Sequence, residues 1–267
     1  MKFAALGRTH WLLDAIRAAA ARGHQPVLIG TAEPMPEYRC TARDFERLAA
    51  ELGCAFFAGT IVNTPDAVAL AAASGAQVAI SVNWPTIIGA EMRRVFRHGI
   101  LNAHAGDLPR FRGNACPNWA IITGEPRVAI TVHQMSDELD AGPVLLTRAC
   151  PIDDTTYIAD VYDFMTANIP DMLAEALDGL TAGTLVPRHQ SLDPADALRC
   201  YPRRPEDGFL DFTRPADALG RLVHIGGLRR CALPPRRPLP LRRRAGEPPR
   251  PGAGSRAPHR PDREGRR

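Results

Sequence analysis

Lysine is nearly missing from this chain. Of 33 basic residues only Lys2 is not arginine, a bias of codon composition that carries no mechanistic weight. The six cysteines (Cys40, Cys54, Cys116, Cys150, Cys200, Cys231) are scattered, with no C-x-x-C pair. That excludes a disulfide frame and a zinc ribbon, leaves no metal site to expect, and reads as reduced thiols in a cytoplasm. No apolar run is long enough to span a bilayer, and the opening MKFAALGRTHWLLDAI lacks a signal-peptide pattern, so no membrane partner is expected. Gly7 is followed by Arg8-Thr9-His10 rather than by a G-x-G-x-x-G turn, which argues against a dinucleotide-binding enzyme.

An excess of positive charge is also missing, but from the body only. From Gly226 to Arg267 there are 13 arginines against Glu247, Asp262 and Glu264, while residues 1–225 carry 20 basic and 26 acidic groups. The acidic body argues against nucleic acid as the partner. The same final stretch has no Val, Ile, Met, Phe, Tyr or Trp, and Arg and Pro make up more than half of it. Such a segment cannot bury enough apolar surface to offset its ordering entropy, so it is expected to be disordered. Two readings of it stand side by side: a polyanion-binding tail, or a frame-shifted end.

What is present alternates. KFAALG, QPVLIGT, CAFFAG and AQVAISVN read as strands. Between them lie HWLLDAIRAAAARG, ended by Gly23, TARDFERLAAELG, capped by Thr41 with Asp44 in its first turn, and DAVALAAASG. The alternation predicts an α/β protein, a mostly parallel sheet with helices on both faces. A long helical region follows over 155–183, expected to be interrupted near Pro170 and ended by Gly183, with Tyr157, Val161, Phe164 and Met165 on its buried face.

The chemistry concentrates in Gly99–Leu145. HGILNAH reads as a buried strand opening into a loop, so Asn102 and His104, two apart, face one space. An Asn N–H can donate to an oxygen that gains charge, and a His can move a proton near neutral pH. Asp140, in a turn closed by Gly142-Pro143, is within reach of the imidazole and would hold its charged form. NWPTIIG, after the fourth strand, offers Trp84, Ile87 and Ile88 as the walls of an apolar slot for a flat ring.

Asn-x-His at 102–104, Leu108-Pro-Arg-Phe-Arg-Gly113, His133-x-Met135 and Asp140-x-Gly-Pro143 together resemble the formyltransferase family that uses N10-formyltetrahydrofolate. The resemblance implies a Rossmann-like formyltransferase fold, with Asn102, His104 and Asp140 as catalytic residues. It implies folate binding by Trp84, Thr86, Ile87 and Ile88 on one side and Ser136, Asp137, Glu138 and Leu139 on the other. N10-formyltetrahydrofolate would be the co-substrate, with no metal. The expected layout is a catalytic domain over 1–183, a connector over 184–225 that begins a truncated C-terminal region, and the basic tail over 226–267.

The wording of the loop is most similar to sugar-nucleotide N-formyltransferases of the GDP-perosamine type, which act in O-antigen (lipopolysaccharide) synthesis. The expected acceptor is therefore a nucleotide-linked amino sugar. The alternatives are methionyl-tRNA, or folate binding without catalysis in a truncated chain. Arg8, Arg110 and Arg112 are either contacts for a diphosphate or solvated surface groups. Gly106-Asp107 departs from the Ser-Leu that many relatives carry. The sequence leaves a homodimer open.

Overall fold

A computed structural model of the chain describes residues 1–226 apart from Glu37 and Leu192. The expected disordered tail lies outside the described residues. Its strands are β1 (Lys2–Gly7), β2 (Gln25–Thr31), β3 (Ala55–Ala58), β4 (Val78–Val82), β5 (Ile100–His104), β6 (Arg112–Gly113), β7 (Arg127–Gln134), β8 (Val144–Pro151) and β9 (Arg199–Cys200). The α-helices are α1 (His10–Ala21), α2 (Ala42–Leu52), α3 (Pro65–Ala73), α4 (Ala90–Val95), α5 (Cys116–Thr123), α6 (Ile158–Ala182) and α7 (Ala216–Ile225).

Seven strands form one sheet in the order β3-β2-β1-β4-β5-β7-β8, and β6 pairs with β9 apart from it. The first five strands run parallel, and β7 and β8 join antiparallel. Every residue of β4 is buried, as a central strand covered on both faces requires. Alternate residues of β1 feed two cores. Phe3 and Ala5 meet α1, α2 and α6, while Ala4 and Leu6 meet α3 and α4. Helices thus cover both faces, as the alternating sequence predicts. The order of β2, β1 and β4 reverses direction at β1, and open sheets of this kind offer a crevice there, beyond the strands' carboxyl ends.

The local signals hold. Asp44 accepts the Thr41 backbone N–H at 2.8 Å, closing the start of α2. Gly23 and Gly183 take left-handed φ values of 84° and 68° just past α1 and α6. One expectation fails: α6 runs unbroken through Pro170 for 25 residues. Proline forfeits one i→i−4 bond there, yet Ile169, Met172, Leu173 and Leu177 on both sides of it are wholly buried. Packing against the sheet holds the two halves in line against that local cost.

Residues 184–225 run back over this body. Val144 and Arg188 exchange backbone hydrogen bonds at 2.8 Å, β9 pairs with β6, and α7 lies against α5. Among the described residues no helix is long and apolar enough to cross a membrane.

Candidate functional site

β5 brings the first two side chains together. Asn102 and His104 project from the same face, and Ala103 turns to the core. The antiparallel partner β7 sets His133 directly opposite Asn102, and the Asn102 amide donates to His133 Nε2 at 3.2 Å. The loop after β7 returns Asp140 to the pair. Its carboxylate lies 3.6 Å from His104 Nδ1 and 3.6 Å from His133 Nε2, and accepts the Gly113 N–H at 2.8 Å. Asn102 and His104 on β5, His133 on β7 and Asp140 on the loop after it therefore converge.

The surroundings set the protonation. His104 Nε2 donates to the Phe111 carbonyl at 2.6 Å, which leaves Nδ1 as the bare nitrogen, turned toward Asp140. Burial lowers the His104 pKa, and the nearby Asp140 charge only partly restores it. The resting imidazole is thus neutral near pH 7, with a proton-accepting Nδ1. For Asp140, burial pushes the carboxyl up, but His104, His133 and the Gly113 N–H together outweigh it and hold the pKa down at about 2.

The backbone is bent to permit this. Asn83, Phe111, Ala115 and Asp140 take φ values of 50° to 57°, a left-handed conformation that Asn and Asp tolerate and that is costly for Phe and Ala. All four lie at the site: Asn83, Ala115 and Asp140 line the cavity described next, and Phe111 supplies the carbonyl to His104. Gly106 has a steric reason. A Cβ there would lie 2.3 Å from the Phe111 oxygen and 2.5 Å from His104 Nε2. Gly106→Ala is therefore expected to push the Phe111 carbonyl off the imidazole. Thermal melts should show a loss on the order of 1–3 kcal/mol, together with a fall in turnover; an unchanged protein would refute this account of Gly106.

One cavity of about 920 Å³ gathers Asn102, His104 and Asp140 with Trp84, Thr86, Ile87, Ile88, Ser136, Asp137, Glu138 and Leu139. Within it the expected apolar walls differ in kind. Ile88 is 4% exposed and belongs to the core cluster that includes Met92 and Phe96, whereas Ile87 is 74% exposed at the rim. Trp84 donates from Nε1 to Thr86 Oγ1 at 3.1 Å, and Thr86 Oγ1 donates to the Thr60 carbonyl at 2.9 Å, so that loop is pinned by its own side chains. Ser136 Oγ donates to the Glu138 carbonyl at 3.0 Å.

The three arginines part company. Arg8 lines the cavity, its guanidinium carbon 5.8 Å from the Tyr38 ring centroid and its buried Nε without a hydrogen bond among the described residues. Arg110 and Arg112 do not line it. Arg110 is taken up by Glu125 at 2.8 Å, and Arg112 by Gln190 at 2.9 Å. Of the two readings open for Arg110 and Arg112, a diphosphate contact or a surface group, their place outside the cavity and their partners on the fold favour the surface group.

Other residues at the site carried no sequence signal of a role there. His133 was visible only as part of a motif, and its place beside Asn102 needs the β5–β7 register. Arg93 donates to the Ile88 carbonyl at 2.7 Å and pairs with Asp137, tying the two sides of the cavity. Gln190 donates to the Asp140 and Gly142 carbonyls at 2.9 and 2.7 Å, clamping the turn that carries the carboxylate. Nothing local in LVPRHQ foretells that clamp.

Comparison with known proteins places the fold and the family. A family model described as formyl transferase matches residues 1–177. The methionyl-tRNA formyltransferase of Pelobacter propionicus is 42% identical over 120 residues, 44% of this chain and 36% of that protein. That of Citrifermentans bemidjiense is 29% identical over 228 residues, 84% of this chain and 70% of its own length. The chain therefore spans between about a third and 70% of these relatives. A crystal structure of WlaRD, a sugar 3N-formyl transferase in the presence of dTDP and 5-N-formyl-THF, superposes with a TM-score of 0.64 at 12% identity, covering 84% of this chain and 78% of that one. At that identity the likeness speaks for the fold, while the family match extends over well more than half of the chain: the chain belongs to the formyl transferase family.

Proposed function

We propose that the chain transfers a formyl group from N10-formyltetrahydrofolate to the amino group of a nucleotide-linked amino sugar, with GDP-perosamine as the first candidate acceptor. The observation that carries the transfer is the convergence of Asn102, His104 and Asp140 on one cavity. Trp84, Ile87 and Leu139 give that cavity apolar surface suited to a flat ring, and Ile88 underlies it. The loops at 84–88 and 136–139 are the reading's folate walls.

In this reading the acceptor amine attacks the formyl carbon. The Asn102 N–H not committed to His133 donates to the oxygen that gains charge, a contribution typically about 2.7–4 kcal/mol for one preorganised donor. His104 Nδ1 takes the amine's proton, and Asp140 then faces an imidazolium rather than a neutral ring. The proton passes on to the departing folate nitrogen. None of these steps requires a metal.

Arg8 supports an anionic acceptor, because its cation stands in the cavity with a free buried donor. The acidic composition of residues 1–225 speaks against a large polyanion. The relative WlaRD, crystallised with dTDP and a formylated folate, is consistent with a nucleotide sugar. The second reading is methionyl-tRNA as acceptor, favoured by the names of the curated relatives.

An acceptor panel tests the two. Tetrahydrofolate release is followed with GDP-perosamine, a dTDP-4-amino sugar and methionyl-tRNA. Turnover is expected with a nucleotide sugar; turnover with methionyl-tRNA alone would replace this reading with the second. No turnover with any of them, with folate still bound, would leave a folate-binding protein.

A further inference from the structure

We propose that Gln190 is a positioning residue for formyl transfer that acts through Asp140, its amide holding the turn that keeps the carboxylate beside His104. The proposal deepens the reading above and rests on it for turnover. Gln190 lies beyond the family match over residues 1–177, on the connector that runs back over the body. That connector is tied down on both sides of it. Arg188 exchanges backbone hydrogen bonds with Val144 at 2.8 Å, and the Arg112 and Asn114 N–H groups donate to the Leu198 and Cys200 carbonyls at 3.0 Å. Gln190 is thereby set between two stretches of chain that meet at the Asp140 carboxylate: the loop through Arg112 and Gly113, and the turn from Asp140 to Gly142.

Its amide is used at every position. The two N–H bonds go to the Asp140 and Gly142 carbonyls at 2.9 and 2.7 Å, and the oxygen accepts from Arg112 Nη2 at 2.9 Å and Nε at 3.3 Å. Both donors and both lone pairs are spent. A flipped amide would set its NH2 against the guanidinium and its oxygen against two carbonyls, so the pattern admits one geometry. The clamped turn carries Asp140 at a φ of 50°, with its carboxylate on the Gly113 N–H at 2.8 Å. Gln190 itself does not line the cavity. It sets where a charge stands.

The consequence is electrostatic. Facing His104 are Asp140, 3.6 Å from Nδ1, the Phe111 carbonyl and Cys116 Sγ, 2.6 and 3.7 Å from Nε2, and His133, with ring centroids 6.1 Å apart. Asp140 is the charge among them that favours a protonated ring. Without the amide's two donors the turn is free to carry that charge away, and attraction at this range weakens with each added ångström.

Gln190→Met keeps the side chain's length and removes both donors. In the full chain, NMR titration of the His104 imidazole is expected to give a pKa below the parent's, shifted in the direction of Asp140→Asn and not beyond it. Turnover should fall about tenfold, again no further than in Asp140→Asn. The decisive comparison is Asp140→Asn with and without Gln190→Met, because a residue that acts through the carboxylate costs no further turnover once the carboxylate is gone. An unmoved imidazole titration in Gln190→Met, or a second loss of turnover added to that of Asp140→Asn, would overturn the proposal. Gln190→Asn, one methylene too short to span the same partners, carries the same test if Gln190→Met fails to fold. The titration needs no acceptor, so a failure of the acceptor assays is distinguishable from a failure of this proposal.

Discussion

His104→Ala is expected to lower kcat by about 10²–10⁴, the usual worth of a positioned general acid–base, while a folate analogue still binds with near-parental affinity. The two halves of that result come from different parts of the cavity. His104 is 8% exposed and sits at the floor with Asp140, whereas the apolar walls for a ring are Trp84, Ile87 and Leu139 near the mouth. Removing the imidazole takes away a bare nitrogen that faces Asp140 and whose ring is fixed through its other nitrogen by Phe111. His133 cannot stand in for it, since its Nε2 is already occupied by Asn102 and its Nδ1 by the Gln134 carbonyl. Steady-state kinetics beside equilibrium binding of the analogue check both halves. Near-normal turnover would refute the role given to His104. Loss of binding together with turnover would show instead that the variant has lost the shape of its cavity.

Much of this was legible in the sequence because the signals were local. Strand-forming runs bounded by glycine, the Thr41–Asp44 cap and the two residues of NAH that share a face all depend on neighbours a few positions away, and each appears where the pattern puts it. The mostly parallel sheet with helices on both faces followed from alternation alone. What failed or stayed hidden depends on long-range packing. Pro170 signals a break by local chemistry, and only the buried row around Ile169 and Leu173 overrides it. Arg110 and Arg112 read as free cations because their partners, Glu125 and Gln190, are 15 and 78 residues away. His133 acquires its place from strand register, and Gln190 from a connector that no periodicity ties to the site. Gly106 was visible as a departure from the family's wording; its cause, the room a Cβ would take from the Phe111 carbonyl, needs the folded loop.

Asp140→Asn is expected to shift the acid limb of the pH–kcat profile to lower pH, as the loss of an opposite charge requires, and to reduce the plateau severalfold or more. The direction follows from the groups that face His104. Burial holds its pKa below the ordinary 6.5, and the Asp140 charge raises it part of the way back. With that charge gone the pKa falls further, so neutral Nδ1 persists to lower pH and the limb moves down. The plateau falls for the complementary reason: when Nδ1 accepts a proton, the imidazolium no longer faces a carboxylate 3.6 Å away, and the protonated state of the ring costs more to reach. A limb set by the acceptor amine would be common to both enzymes and cancel in the comparison. The same carboxyl, held from its ordinary 3.8 down to about 2, contributes stability that is present above the higher value and lost as pH falls through the lower one. Acid melts of the parent should therefore weaken across that window more steeply than those of Asp140→Asn. A reduced plateau with an unmoved limb would mean that the carboxylate only shapes the turn around Gly113 and does not act on the imidazole's charge.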